Sequence, residues 1–403
     1  MNATSTMIHK PSELYTEMVE RARKLVPALK AAADEADELR RTPDHVVEAL
    51  KESGLFRVVQ PRRIGGYELP ATIYFDALSE LGRGCASTAW IVGNLAAHNH
   101  QLALWPRQAQ DEVWGESGET LVGSSFVFPA GKARAVDRGY LVQGQWPFSS
   151  GIHPCSWVAL GGLVKDDSGR VLEQRLFLLP REEYEIVATW NVAGMRGTGS
   201  DDVRVDDVFV PEHRTVSFDD VANGTAPGLA LETAPLFRLP MFALGGWTIL
   251  PAIYGAARGA LDVYVEKTKA GAKSPSGVDF SGQGLAHEHI GRAAAILDTV
   301  ELIARHRLAQ LMDVVTADTD VPSELLVVNR RDASYCAQLS CDAVDIVFAA
   351  SGGSALYLKN PVQRAWRDAH AGAAHMSLRW DLVGPAYGRV QTGLPSGLPG
   401  IGV

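Results

Sequence analysis

Two tryptophans, a phenylalanine, adjacent serines, a glycine and a histidine fall within Trp146–Trp157, Trp-Pro-Phe-Ser-Ser-Gly-Ile-His-Pro-Cys-Ser-Trp. Flat aromatic surface beside small hydroxyl donors suits a planar, hydrogen-bonding ring. The same residues also describe a β-hairpin turn over a packed aromatic core, and both readings stand at this point. Trp90 and His98 lie eight residues apart on a nearly uncharged stretch, Ser87–His98, so as a helix they share a face. They are either a ligand-binding wall or a packed tryptophan with a hydrogen-bonded core histidine. In Arg367-Asp-Ala-His370-Ala-Gly-Ala-Ala-His375 the two histidines are five apart and do not share a face well. An imidazole at a helix end is also a plain dipole contact. Ser351-Gly-Gly-Ser354 lets backbone approach a ligand closely, or simply stops a helix.

Several chemistries lose their support. The chain lacks a Gly-x-Gly-x-x-Gly after a strand, since Gly194-Met-Arg-Gly197-Thr-Gly199 has the wrong spacing, and it lacks a Walker A lysine and a Gly-x-Ser-x-Gly elbow. His98/His100 and His287/His289 are spaced i, i+2 and point to different faces of a helix, so no metal site is expected. A net charge of −9 without a long basic run argues against nucleic acid, and no apolar run is long enough to span a bilayer. Met1–Lys10 has no signal-peptide core, and four scattered cysteines predict reduced thiols and a cytoplasmic protein.

The elements that must position these residues follow from periodicity. At 403 residues the chain exceeds one compact core. Residues 1–120 read as helical, with helices over Leu14–Glu38, Thr72–Gly82 and Ser87–Leu104, and a further one N-capped by Thr42 with Pro43 and Asp44 in its first turn. Residues 121–222 carry short β-branched and aromatic runs broken by turn signals, which indicates an antiparallel, barrel-like β-domain. Asn223–Pro235 reads as a linker within residues 223–403, where long helices return over Phe242–Lys269, Gly284–Ala317, Ser323–Ala350 and Pro361–Ala374 as a four-helix bundle. Ser274–Gly282 is a polar connection, and Leu394–Val403 a Gly/Pro-rich tail. The fold class is α+β.

This helical–β–helical order resembles the acyl-CoA dehydrogenase fold over nearly the whole chain. So do Trp190-Asn-Val-Ala-Gly-Met-Arg-Gly-Thr-Gly-Ser-Asp-Asp-Val203, Phe209-Val-Pro211, and Gly352-Gly353 followed by Arg367-Asp368. Ser87-Thr-Ala-Trp90 with His98, Ser124-Ser-Phe126, Trp146-x-Phe148-Ser149-Ser150-Gly151 and Arg367-Asp-x-His370 with His375 resemble the flavin-dependent monooxygenases of two-component systems, the phenol and p-hydroxyphenylacetate hydroxylase type. Many true dehydrogenases carry a glutamate nine residues after that arginine, where this chain has Met376.

The resemblance implies that a separate flavin reductase supplies reduced FMN or FAD. Oxygen is the co-substrate, and a C4a-hydroperoxyflavin hydroxylates a small aromatic or phenolic substrate. Trp146 and Phe148 would flank the isoalloxazine, with a Ser149 or Ser150 hydroxyl near N5. Ser125 and His98 would line the substrate pocket, with Trp90 as a wall. Arg238 would contact the flavin, and Lys267 and Lys269 would hold its phosphate. Gly352 and Gly353 would approach from a neighbouring subunit of a homotetramer. His375 would be the base, since an imidazole suits proton removal at neutral pH. N- or S-oxygenation on the same fold, dehydrogenation of a thioester, and a scaffold that binds no flavin are the alternatives.

Overall fold

A computed structural model describes residues 11–271 and 284–398. Five helices come first: α1 (Glu13–Leu39), α2 (Asp44–Ser53), α3 (Thr72–Gly84), α4 (Ala86–Leu102) and α5 (Arg107–Trp114). Eight strands follow: β1 (Val122–Ser125), β2 (Gly131–Val136), β3 (Gly139–Trp146), β4 (Trp157–Lys165), β5 (Val171–Pro180), β6 (Glu185–Val187), β7 (Asp202–Pro211) and β8 (Thr215–Ser217). A short α6 (Phe218–Asn223) leads through 3-10 turns to α7 (Leu250–Lys269), α8 (Gly284–Thr316), α9 (Ser323–Ala350), α10 (Pro361–Ala373) and α11 (Trp380–Gln391). The polar Ser274–Gly282 connection, Met1–Lys10 and the end of the tail lie outside the described residues.

Three expectations are corrected in detail. The sheet, ordered β6-β7-β3-β2-β4-β5-β8 with β1 beside β4, is open and not barrel-like. Its terminal strands have three residues each, too few to pair with one another and close it. It is also mixed, because β1 and β2 both run parallel to β4. The N-cap of α2 is Pro43, and the Thr42 hydroxyl instead donates to the Gly197 carbonyl at 3.0 Å. The helix expected from Phe242 starts at Leu250, because 3-10 and turn geometry occupies the residues around Gly245-Gly246.

The central element is α4. It bears no acidic or basic side chain other than its histidines, and nearly every residue on it is buried. A helix apolar on all sides must be enclosed on all sides, and here α3, α7 and β1 pack around it. Gly93 permits the closest approach: a Cβ there would lie 2.1 Å from the Thr248 carbonyl oxygen. The backbone entering α7 therefore sits directly against α4, midway between Trp90 and His98. Gly93→Ala is expected to push these elements apart, at a cost of about 1–3 kcal/mol. A lowered midpoint of thermal unfolding, followed by far-UV circular dichroism, checks this.

Candidate active site

The loop Trp190–Asp201 is held from three sides. The buried Asp368 carboxylate on α10 accepts the Met195 N–H at 2.6 Å, and Arg367 bonds the Ala193 carbonyl and reaches Asp37 of α1 at 3.0 Å. Burial raises the Asp368 carboxyl to about 6. Gly194 is required here, because a Cβ would lie 2.2 Å from the Arg367 carbonyl oxygen. Asp201 ends the loop. Its carboxylate accepts the Thr189 and Trp190 N–H groups, both at 2.8 Å, and bonds His153 Nε2 at 2.7 Å.

This loop delivers Thr198 and Ser200 to the turn after β3. Ser200 Oγ lies 2.8 Å from Ser150 Oγ and 2.6 Å from Thr198 Oγ1, and Trp90 Nε1–H donates to Ser150 Oγ at 3.1 Å. The Trp90 ring meets the His375 ring edge-on at 5.6 Å. The structure thus joins Trp90, Ser150 and His375 from α4, the β-domain and the residues after α10. Phe148 stands beside them in the left-handed region (φ 66°), 63% exposed, with its ring perpendicular to Trp190 at 6.3 Å. A non-glycine residue held there is strained, and such strain concentrates at functional sites. Ser149 Oγ is buried without a partner.

A second cluster lies two turns along α4. His98 Nδ1 is 2.6 Å from the Val122 carbonyl, which can only accept, so the ring proton sits on Nδ1. Its Nε2, 2.7 Å from Ser124 Oγ, is therefore the acceptor of the Ser124 hydroxyl proton. Ser125, expected to line the substrate pocket beside His98, donates to the Pro147 carbonyl at 2.7 Å, and it is Ser124 that meets the imidazole. Successive strand residues face opposite sides, and the sequence does not set that phase.

His375 has the opposite polarity. The Ser377 N–H donates to its Nδ1 at 3.1 Å, so the neutral ring carries its proton on Nε2 and presents a donor. The residue is exposed although protein surrounds it closely, so it does not belong to the core. Crowding, then the charge of Arg330, lowers it to about 4. Solvent at this exposed residue offsets part of that shift, and the ring is neutral at pH 7 on either account.

Other expected residues lie apart from these clusters. Trp146 is fully buried, and its Nε1–H donates to the Gly161 carbonyl at 2.6 Å, so it belongs to the sheet core and presents no face to a ligand. Arg238 pairs with Asp318. Lys267 and Lys269 sit on an exposed helix end, the latter 2.9 Å from Glu266. A Cβ on Gly352 or Gly353 would meet nothing within 4 Å among the described residues. His370 bonds Asp345 at 2.9 Å. The Ser124, Thr198, Ser200 and Arg330 side chains were not singled out from sequence. For Thr198 and Ser200, the Gly197-Thr-Gly-Ser200 motif was the available signal. Two surface recesses of about 610 and 280 Å³ are present, one around Arg175 and Thr215, the other around Cys85, Gly259 and the Asp368 that holds the loop. Among the described residues no cluster suits a metal ion, and no helix is long and apolar enough to cross a membrane.

Comparison with known proteins adds to this geometry. The family model "Acyl-CoA dehydrogenase, N-terminal domain" matches residues 12–116, and "Acyl-CoA dehydrogenase, C-terminal domain" matches residues 247–380. The oxygenase subunit HsaA, a flavin-dependent monooxygenase of Rhodococcus jostii, is 38% identical over 94% of this chain and 98% of its own. The oxygenase component of the FADH2-dependent resorcinol hydroxylase of a Rhizobium species is 33% identical over 96% and 98%. The solved structure of XiaF from a Streptomyces species, in complex with FADH2 and glycerol, is 30% identical, covering 96% and 98% with a TM-score of 0.90.

Burial lowers both His98 and His100 to about 4. Between about pH 6.5 and 4 the unfolded chain then binds protons that the folded chain refuses, so stability falls as the pH falls through that window. The two rings contribute up to about 3 kcal/mol each, and Asp368, raised to about 6, opposes them over part of the range. Urea midpoints measured from pH 8 to 4 should decline on the acid side, and less steeply for His100→Gln.

Proposed function

Because the chain belongs to the flavin-dependent monooxygenases of the acyl-CoA dehydrogenase fold, we propose that it is the oxygenase component of a two-component aromatic hydroxylase, with the Ser124–His98 pair receiving the phenolic proton. The enzyme uses reduced flavin and O2. The residues present suit a flat ring with hydrogen-bonding edges: exposed Phe148 against Trp190, the Ser150 hydroxyl within reach of Ser200, and the unpartnered Ser149 hydroxyl. When bound, the reduced flavin supplies the two electrons that let one oxygen atom enter the arene while the other leaves as water.

The Ser124–His98 pair is the observation that carries the mechanism. Ser124 donates its hydroxyl hydrogen bond to His98 Nε2, which leaves its lone pairs free to accept a substrate O–H. As the ring carbon gains a bond to oxygen, the arene becomes cationic and its O–H far more acidic than a free phenol of pKa about 10. The proton can then pass through Ser124 to His98, whose Nδ1–H stays on the Val122 carbonyl. Positioned proton acceptors of this kind accelerate reactions roughly 10²–10⁴-fold. His375 was expected to be the base. Its polarity supports a different role, donating from Nε2 to an oxygen placed near Trp90 and Ser150. Met376, a thioether where many dehydrogenases carry a glutamate, cannot take an α-proton from a thioester, which disfavours that alternative.

A homotetramer in which Gly352 and Gly353 reach a neighbour's cofactor is part of this reading. The run Leu356-Tyr357-Leu358, each more than 70% exposed directly after those glycines, supports a subunit contact there. A transient encounter with a reductase and a cytoplasmic setting complete it, the latter supported by four buried free cysteines.

Rapid mixing of the protein and reduced FMN or FAD with ¹⁸O₂, across a panel of phenols, tests the reading. One labelled oxygen atom per product is expected. Oxidation at the free-flavin rate without labelled product overturns it. Ser124→Ala should lower hydroxylation by roughly 10²-fold or more and release hydrogen peroxide instead, whereas Ser125→Ala should turn over nearly as the native protein.

A further inference from the structure

Among the described residues, Arg330 on α9 is a cation without a counter-ion. No hydrogen bond or ion pair holds it within the described residues, and its Nε is buried and unpartnered. The nearest acid in sequence is already committed: Asp332 bonds Arg307 at 2.6 Å and Arg331 at 2.6–2.7 Å. Arg331 also lies over the Tyr387 ring at 4.3 Å, so the neighbouring guanidinium is fully engaged while Arg330 is not.

Its position follows from the helix. One turn further on, on the same face of α9, the Ser334 hydroxyl donates to the Leu378 carbonyl at 2.6 Å. A Cβ on Gly246 would touch Ala333 at 2.8 Å and lie 3.5 Å from the Ser377 carbonyl oxygen. This face of α9 therefore packs against Ser377 and Leu378, just after His375, and the charge of Arg330 bears on the His375 ring. Its Nε is shut off from solvent and protein crowds the rest of the group, so a guanidinium placed this way favours an anion that pairs with it. A planar fork of donors matches a carboxylate in particular.

We propose that Arg330 is the subsite for an anionic substituent, a carboxylate, on the aromatic substrate, at the end of the site remote from Ser124. Trp90 and His98 are eight helical residues apart, about 12 Å along α4. A substrate whose hydroxyl meets Ser124 and whose ring passes Trp90 thus carries its far end toward His375 and Arg330. This inference rests on the hydroxylase reading for the placement of the hydroxyl, but the cation itself does not depend on it.

The test compares 3-(4-hydroxyphenyl)propanoate with 4-propylphenol, two phenols that differ in the carboxylate. Binding of each to the intact protein, anaerobically with reduced FMN, is measured by calorimetry, together with the affinity for reduced FMN alone and the oligomeric state. The native protein should prefer the acid. Arg330→Gln should weaken acid binding roughly 10- to 100-fold, the worth of a charge-assisted hydrogen bond, and leave the neutral phenol, flavin affinity and assembly unchanged. Arg330→Lys should restore part of the loss. Equal weakening of both phenols, loss confined to reduced FMN, dissociation of the oligomer, or a native protein without preference for the acid would each overturn the proposal. Preference for the acid without oxygen transfer to any phenol would leave the anion subsite standing and remove the hydroxylase reading. Labelled product without that preference would do the reverse.

Discussion

The contact between the Asp368 carboxylate and the Met195 N–H is the constraint on which the site depends. It ties the bundle to a loop of the β-domain. The loop has no regular hydrogen-bond ladder of its own between Trp190 and Asp201, so side chains from α10, from Thr42 and from its own acid satisfy its backbone groups. A buried carboxylate is expensive, which is why its proton affinity is raised. Arg367 and Arg364 nearby offset part of that cost. The result is a rigid loop that places Thr198 and Ser200 against Ser150, and Ser150 against Trp90.

Two neutral imidazoles then acquire opposite functions from their backbone partners. A carbonyl beside His98 Nδ1 makes its other nitrogen an acceptor, and an amide N–H beside His375 Nδ1 makes its other nitrogen a donor. Neither assignment comes from the residue type. Both come from which backbone atom lies next to the ring, 2.6 and 3.1 Å away. The cation of Arg330 adds to the second case, joining the crowding that keeps His375 unprotonated while itself unpaired among the described residues.

Much of this was legible in the chain, and the limits were physical. Helical periodicity located α4, and eight-residue spacing put Trp90 and His98 on one face. The resemblance pointed to Phe148, Ser150 and His375, which lie near one another here or beside the same loop. It also offered Trp146, whose strand turns it into the sheet core, and Ser125, whose neighbour Ser124 faces His98. In both cases the composition of the segment was informative and the phase of the strand was not. Arg330 and Arg331 are adjacent and chemically identical, and only packing gives one of them an acid and an aromatic ring.

By itself, the sequence determined the order of helices, strands and bundle, the uncharged central helix, and the family to which the motifs point. These are local properties, carried by periodicity, capping and short-range spacing. Only the tertiary structure decided which serine meets the imidazole, which nitrogen of each histidine holds the proton, and which of two adjacent arginines has no partner among the described residues. Those outcomes depend on contacts between residues as far apart as Trp90 and His375 or Met195 and Asp368, where folding and not spacing sets the distance.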